Sequence, residues 1–383
     1  MSGIQPREFL AIPGPTPVPD AVLEAIARHP IGHRTADFSK ILTEVTENLK
    51  WLAQTKNDVF VLTSSGTGAM EAAISNVVNE GDVVISLVCG VFSERWAKIA
   101  EAFGAKVERI FVEPGTPYLL DALKGRLAAD KQKSIKAVTI THNETSTGVI
   151  NDLQAVAALV KEHGAVSIVD AVTSFGACPL PIDEWGVDVV VTGSQKALML
   201  PPGLGIIFFG ERAWQANASC KTHRFYFDLK KAKKSLAENT TPFTPNVSLI
   251  AGLQESLRMI KEEGTAAVYA RHSRMKQTLR TGLTQMGLRL FVAEDAASPS
   301  ITAILPPEGL TVDAIRKSMR ERYKVLTADG QESLKGKIFR IGHMGYVFDR
   351  DILMVLASLE AVLTDLGHNC RAGAAMAGSF YVH

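Results

Sequence analysis

Cysteine is scarce and dispersed. The chain has 383 residues and four cysteines, at 89, 178, 220 and 370. No C-x-x-C pair and no Cys/His cluster occurs, so the spacing of a structural zinc or iron–sulfur site is missing and reduced thiols are expected. No metal is expected. A surplus of either charge is also missing. Lys and Arg number 41 against 40 Asp and Glu, a net of +1 with a pI near 7.7. Nothing global therefore attracts nucleic acid or an anionic membrane. The basic stretch KKAKK at 230–234 reads as a solvated helix face. No apolar run reaches membrane-spanning length without polar interruption. The opening MSGIQPREFLAIPGPTP lacks the continuous apolar core of a secretory signal, so a soluble, cytoplasmic protein is expected. A Walker phosphate loop is missing too, as is the dinucleotide glycine pattern.

What is present is ample apolar material. Hydrophobic residues make up 46% and charged ones 21%, the balance of a globular chain able to bury a large core. Residues 37–54 place Phe38, Ile41, Leu42, Val45, Leu49 and Leu52 on one face at helical spacing. Apolar strands then alternate with helix-length segments. DVFVL leads to a helix from about 67, and VVISLV to one over 94–103. KVERIFV, IKAVTIT, AVSIVD, VDVVVTG and GIIFFG follow. These are continuous runs of Val, Ile and Phe, the pattern of strands covered on both faces. The expectation is an α/β fold with a mostly parallel central sheet between helices. After Pro245 the pattern changes. Helices are expected over 247–263 and 266–286, strands at LRLFVA and SITAILP, a helix from about 312, a strand in KIFRIGHMG and a helix over 349–366. This reads as a smaller α+β domain. The expected organisation is a lead-in over 1–20, a large domain over 21–255, a small C-terminal domain over 256–368 and a loosely ordered tail over 369–383.

Ligands in open α/β sheets collect beyond the carboxyl ends of strands. Past DVFVL stands Thr63-Ser64-Ser65-Gly66-Thr67-Gly68, small residues opening a helix, which can cradle a phosphate or simply cap the helix. Past VVISLV stands Phe92, which can stack on a flat ring or fill the core. Past IKAVTIT the polar run HNETSTG at 142–148 is a ligand loop or a satisfied turn. Asp170 ends AVSIVD, and a carboxylate there requires a cationic or hydrogen-bonding partner. Past VDVVVTG come Gln195 and Lys196, an amine between apolar runs, where desolvation costs free energy unless the amine is used. A phosphate cradle, a stacking aromatic, a strand-end aspartate and a strand-end lysine are together what pyridoxal phosphate requires. The lysine forms a Schiff base with it, and the carboxylate keeps its pyridine nitrogen protonated.

From PGPTPVP to KIFRIGHMG the chain resembles the class V aminotransferases of PLP fold type I, in the alanine–glyoxylate and serine–glyoxylate (serine–pyruvate) group. The resemblance is carried by SSGTGAMEA, HNETSTGV, VDAVTSFG, GSQKAL with the PPG that follows, and FRIGHMG, in family order. It implies that Lys196 is the Schiff-base lysine and the base that moves the proton, and that Asp170 pairs with the pyridine nitrogen. Val172 and Phe92 would cover the two ring faces, and Thr145 would reach the phenolic oxygen. Ser65, Gly66, Thr67 and Gln195 would hold the phosphate. Thr244 resembles a threonine that reaches the phosphate of the neighbouring subunit, with Thr241 beside it where some relatives have Tyr. A homodimer with shared active sites is thus implied. Arg340 resembles the clamp for the substrate α-carboxylate, a contact suited to a planar guanidinium. Gly14 would line the substrate side. Some relatives carry Trp or Tyr where Phe92 stands.

The implied reaction is ping-pong transfer of an amino group from alanine or serine to glyoxylate or pyruvate. Alternatives on the same fold are a 2-aminoethylphosphonate or ureidoglycine aminotransferase, a cysteine desulfurase-type lyase, and a redox component bearing the soluble-hydrogenase label of cyanobacterial-type relatives. In the lyases a His usually precedes the lysine, where Gln195 stands here.

Overall fold

The computed structural model describes residues 7–370 and 373. The expected tail over 369–383 lies outside these residues except at 369, 370 and 373, as do residues 1–6 of the lead-in. Seven strands form the central sheet: β1 (Asp58–Thr63), β2 (Val83–Val88), β3 (Lys106–Phe111), β4 (Ile135–Thr141), β5 (Val166–Asp170), β6 (Val189–Gly193) and β7 (Leu204–Phe209). Their spatial order is β1-β7-β6-β5-β4-β2-β3. β7 runs antiparallel to both neighbours, and the other six share one direction. The carboxyl ends that carry Ser64, Cys89, His142, Asp170 and Ser194 therefore open on one edge of the sheet.

Strand side chains alternate between faces, and here both faces are covered. In β1, Val59 and Val61 enter one core and Phe60 the other; in β6, Val190 enters the first and Val189 and Val191 the second. That is why these strands read as unbroken apolar runs. Helix Ala36–Ala53 adds Phe38, Leu42, Val45, Leu49 and Leu52 to the first core. Thr35 caps it, accepting from the Phe38 amide at 3.4 Å. Helix Gly66–Val77 adds Ala69, Met70, Ala73 and Ile74 to the second core.

Helix Val247–Glu263 buries Leu249, Ile250, Leu253, Leu257 and Ile260 in the first core, so the division expected between 255 and 256 falls inside it. Beyond Gly264 lies a third core. There Phe339–Gly342 runs antiparallel between Ile301–Ile304 and Ala328–Asp329. Helices Thr265–Gln285, Val312–Tyr323 and Asp349–Asp365 pack with these strands around Met275, Leu279, Ile315, Phe339, Ile341 and Leu356. The lead-in joins this body: Phe9–Leu10 pairs in parallel with Val325–Leu326.

Two elements differ from expectation. LRLFVA is not a strand; Leu290 alone bridges to Ile304 before the turn Glu294–Ala296 carries the chain to a bridge between Ala297 and Val149. The helix expected over 94–103 spans Val91–Ala102; Ser93 and a residue far away in sequence, Glu144, hold its first turn. No helix among the described residues is long and apolar enough to cross a membrane.

Candidate active site

Asp170 is the last residue of β5, and Lys196 lies on the turn that joins β6 to β7. Ser194 holds that turn: its hydroxyl donates to Pro201 O at 2.8 Å and accepts from the Leu204 amide at 3.2 Å. Lys196 is buried, and its amine donates to the carbonyl of Pro13. The lead-in is locked there from both sides, since Thr16 Oγ1 donates to Lys196 O at 3.0 Å. A Cβ built on Gly14 would lie 2.6 Å from Lys196 Nζ, and Gly14 sits at φ +132. Only glycine suits that position. Burial draws the Lys196 amine down to about 8; Asp170 opposes this, and Arg340 and Arg95 add to it.

Asp170 is buried as well, and its carboxylate accepts from the Val172 amide at 2.7 Å. Burial pushes it up to about 7. A carboxylate in that condition is matched to a cationic ring nitrogen, which would restore its charge.

Helix Gly66–Val77 opens beside these groups. Ser65 caps it, accepting from the Gly68 amide at 3.3 Å, while the amides of Gly66 and Thr67 have no acceptor among the described residues. A Cβ on Gly66 would lie 2.9 Å from Val172 Cγ2, and one on Gly193 would lie 3.0 Å from Gln195 Oε1 and 3.5 Å from Gly66 N. Ser65, Gly66, Thr67, Val172 and Gln195 thus converge. Gln195 Oε1 is buried without a partner. Free N–H donors at a helix start, a carboxamide beside them, a strand-end carboxylate and a buried lysine are the set of groups that fits pyridoxal phosphate.

The 142–148 run folds as the small hairpin of Asn143–Glu144 with Val149–Ile150. Glu144 is fully buried. Its carboxylate accepts from the amides of Phe92 (3.2 Å) and Ser93 (2.9 Å), and from the hydroxyls of Ser93 (2.9 Å) and Ser146 (2.6 Å). It therefore caps helix Val91–Ala102 and fixes the turn that bears Phe92. Thr145 Oγ1 lies 3.0 Å from Thr173 Oγ1, and Thr145 O accepts from Arg340 Nη1 at 2.9 Å. Arg340 also donates to Asp329 O from Nε (2.9 Å) and Nη2 (2.6 Å), and from Nη1 to Gln331 Oε1 at 3.3 Å. Burial lowers its pKa only to about 10, so it stays cationic near neutral pH. His142 is drawn down to about 4 by burial and meets Trp185 edge-on at 6.0 Å, a neutral core residue.

Thr241 and Thr244 lie on a segment that lines a pocket with Thr63 at the end of β1. Thr244 is exposed, and Thr241 Oγ1 donates to Phe243 O at 2.8 Å. Arg34 holds their segment, donating to Thr240 Oγ1 and to Thr241 O. Within one chain neither threonine has a hydrogen bond to Lys196, Asp170 or the Gly66 turn. Glu144 and Thr173 lie in the HNETSTG and VDAVTSFG stretches but received no role of their own in the sequence reading, and Arg95 escaped it. Arg95 could have been found from its place one helical turn after Phe92. Its Nη1 donates to Thr67 Oγ1 at 3.0 Å, and its guanidinium lies 4.6 Å from the centre of the Phe92 ring.

Residues 9–347 match the family described as Aminotransferase class-V. A protein of Anabaena cylindrica named soluble hydrogenase 42 kDa subunit is 51% identical, over 97% of this chain and 97% of that one. A serine–glyoxylate aminotransferase of Methylorubrum extorquens is 36% identical, over 97% of this chain and 95% of that one. Among solved structures, an alanine–glyoxylate aminotransferase from Nostoc sp. matches with a TM-score of 0.90 at 31% identity, over 95% of this chain and 97% of that one.

Proposed function

Because this chain belongs to the class V aminotransferases, whose cofactor is pyridoxal 5′-phosphate, we propose that it moves the amino group of alanine or serine to glyoxylate. The observation that carries the reading is a placement: the buried Lys196 follows β6, Asp170 ends its paired neighbour β5, and Arg340 is bonded to the Thr145 carbonyl past β4. A relative that bears a hydrogenase name matches 97% of the chain, but this set of side chains is suited to transamination.

Bound here, the cofactor supplies the electron sink for the pair left on the substrate α-carbon. Asp170 supplies the negative charge that favours a protonated ring nitrogen. Lys196 Nζ takes the α-proton and returns it; an amine with a pKa near 8 has a neutral fraction available for this near neutral pH. Arg340 binds the α-carboxylate. Its longest bond, to Gln331 at 3.3 Å, is the one a carboxylate would replace. Val172 and Phe92 cover the ring, Thr145 and Gln195 meet its polar edge and phosphate, and Gly14 leaves room for the amine.

The donor is read as a monocarboxylate. Arg340 is bonded to the Thr145 carbonyl, and Arg95 is held at the Thr67 end. That leaves Arg340 as the clamp among the described residues. The functional unit is read as a homodimer in which Thr244 serves the partner's phosphate site. Phe225 and Tyr226, 71% and 44% exposed beside that segment, fit a covered face.

The test is a half-reaction. L-alanine or L-serine should bleach the visible band of the lysine-linked cofactor, and glyoxylate should restore it. L-aspartate and 2-aminoethylphosphonate should act far more slowly. Failure of every amine to bleach the band would sink transamination. Preference for aspartate would sink the single-clamp reading.

A further inference from the structure

The phosphate cradle read from the sequence is neutral. Ser65, Gly66, Thr67 and Gln195 offer hydrogen bonds and no charge. A phosphate monoester brings about −1.5 to −2 charges near neutral pH, and a helix N-terminus returns roughly half a positive charge. A cation is missing from the account.

Arg95 supplies one. It projects from helix Val91–Ala102 and is half-buried. No carboxylate pairs with it among the described residues; the adjacent Glu94 is turned to Arg109, 3.0 Å away. Its bond to Thr67 Oγ1 fixes it at the start of the phosphate helix, and its central carbon lies 4.6 Å from the centre of the Phe92 ring. Thr67 lies in the turn that follows β1, so this bond places the guanidinium at the edge of the sheet where Asp170 and the Lys196 turn open. An unpaired guanidinium in such a place is suited to an anion. We propose that Arg95 is the cationic residue of the cofactor's phosphate site, holding the phosphate together with Thr67 and the amides of Gly66 and Thr67. The assignment rests on the reading of this cleft as a pyridoxal phosphate site.

The test compares two ligands that differ only in the phosphate. Full-length protein freed of cofactor is titrated with pyridoxal 5′-phosphate and with pyridoxal, following visible absorbance. Arg95→Gln should weaken the phosphorylated ligand about ten- to a hundredfold and leave pyridoxal binding unchanged. Arg95→Lys, which keeps the charge and loses the fork, should show a smaller loss with the same selectivity. If Arg95 merely braces Phe92, both ligands weaken equally, and the proposal is overturned. Should the glutamine variant fail to fold, the lysine variant decides by the same criterion. A wild-type protein that does not bind pyridoxal 5′-phosphate would overturn the reading of the cleft itself, and this assignment with it.

Discussion

Asp170 and Lys196 are both pushed toward neutrality, from opposite sides and by the same burial. For Asp170 the sign is clear. Its folded pKa is raised from 3.8 to about 7, so the folded protein binds the proton more tightly than the unfolded chain within that window. Stability falls as pH rises through it, and the cost is complete above about 7. Asp170→Asn should therefore raise the unfolding midpoint of cofactor-free protein at pH 8 and change it little at pH 4, while abolishing amino transfer. Thermal melts at the two pH values check this. Equal gains at both would mean that packing, not charge, governs the site. Lys196 and Asp170 were legible because each breaks an apolar run at a strand end. Gly14 was read from resemblance alone, and the structure supplies its reason in the lysine amine packed where a Cβ would stand.

Helix Val91–Ala102 shows what local sequence cannot carry. Its periodic body was visible, but its first turn was not, because Glu144 on another element accepts its Phe92 and Ser93 amides while Ser93 accepts from Gly90. Glu144→Gln keeps the shape and points an NH2 at buried N–H donors, each unmet donor costing about 1–3 kcal/mol. A lower melting temperature is expected together with altered visible circular dichroism of the bound cofactor, since the Phe92 turn loses its anchor. Lower melting with an unchanged spectrum would restrict Glu144 to capping. The strands of the central sheet were legible because continuous Val and Ile runs mean two covered faces. LRLFVA misled for a related reason: Leu288 and Val292 are buried, but the segment pairs with its neighbour only around the Leu290–Ile304 bridge, through the Phe291 amide to Ala303 O and the Leu305 amide to Arg289 O. Arg95 was missed, and Thr173 was given no role within its motif, because their importance lies in contacts between elements, which spacing along one element does not reveal.

At the scale of the molecule the shared-site reading has a direct check. The protein should sediment at twice the 41.3 kDa chain mass. Lys196→Ala and Thr244→Val, coexpressed, should give activity above the sum of the two variants alone, because a mixed dimer regains one intact site. Activity that never exceeds the sum would place Thr244 outside the partner's site. The order of the sheet carries a further consequence. β1, which leads to the Ser65–Thr67 turn, has β7 as its partner, and the Pro13 carbonyl reaches Lys196 from a lead-in that pairs with Val325–Leu326. During synthesis the phosphate turn leaves the ribosome long before the strand that positions it, and the lead-in waits longer still. A nascent chain thus owns every early motif without owning a pocket. Cofactor capture becomes a late event that reports a completed fold, and a chain stalled before Leu326 would be released empty however much of the vitamin the cell held.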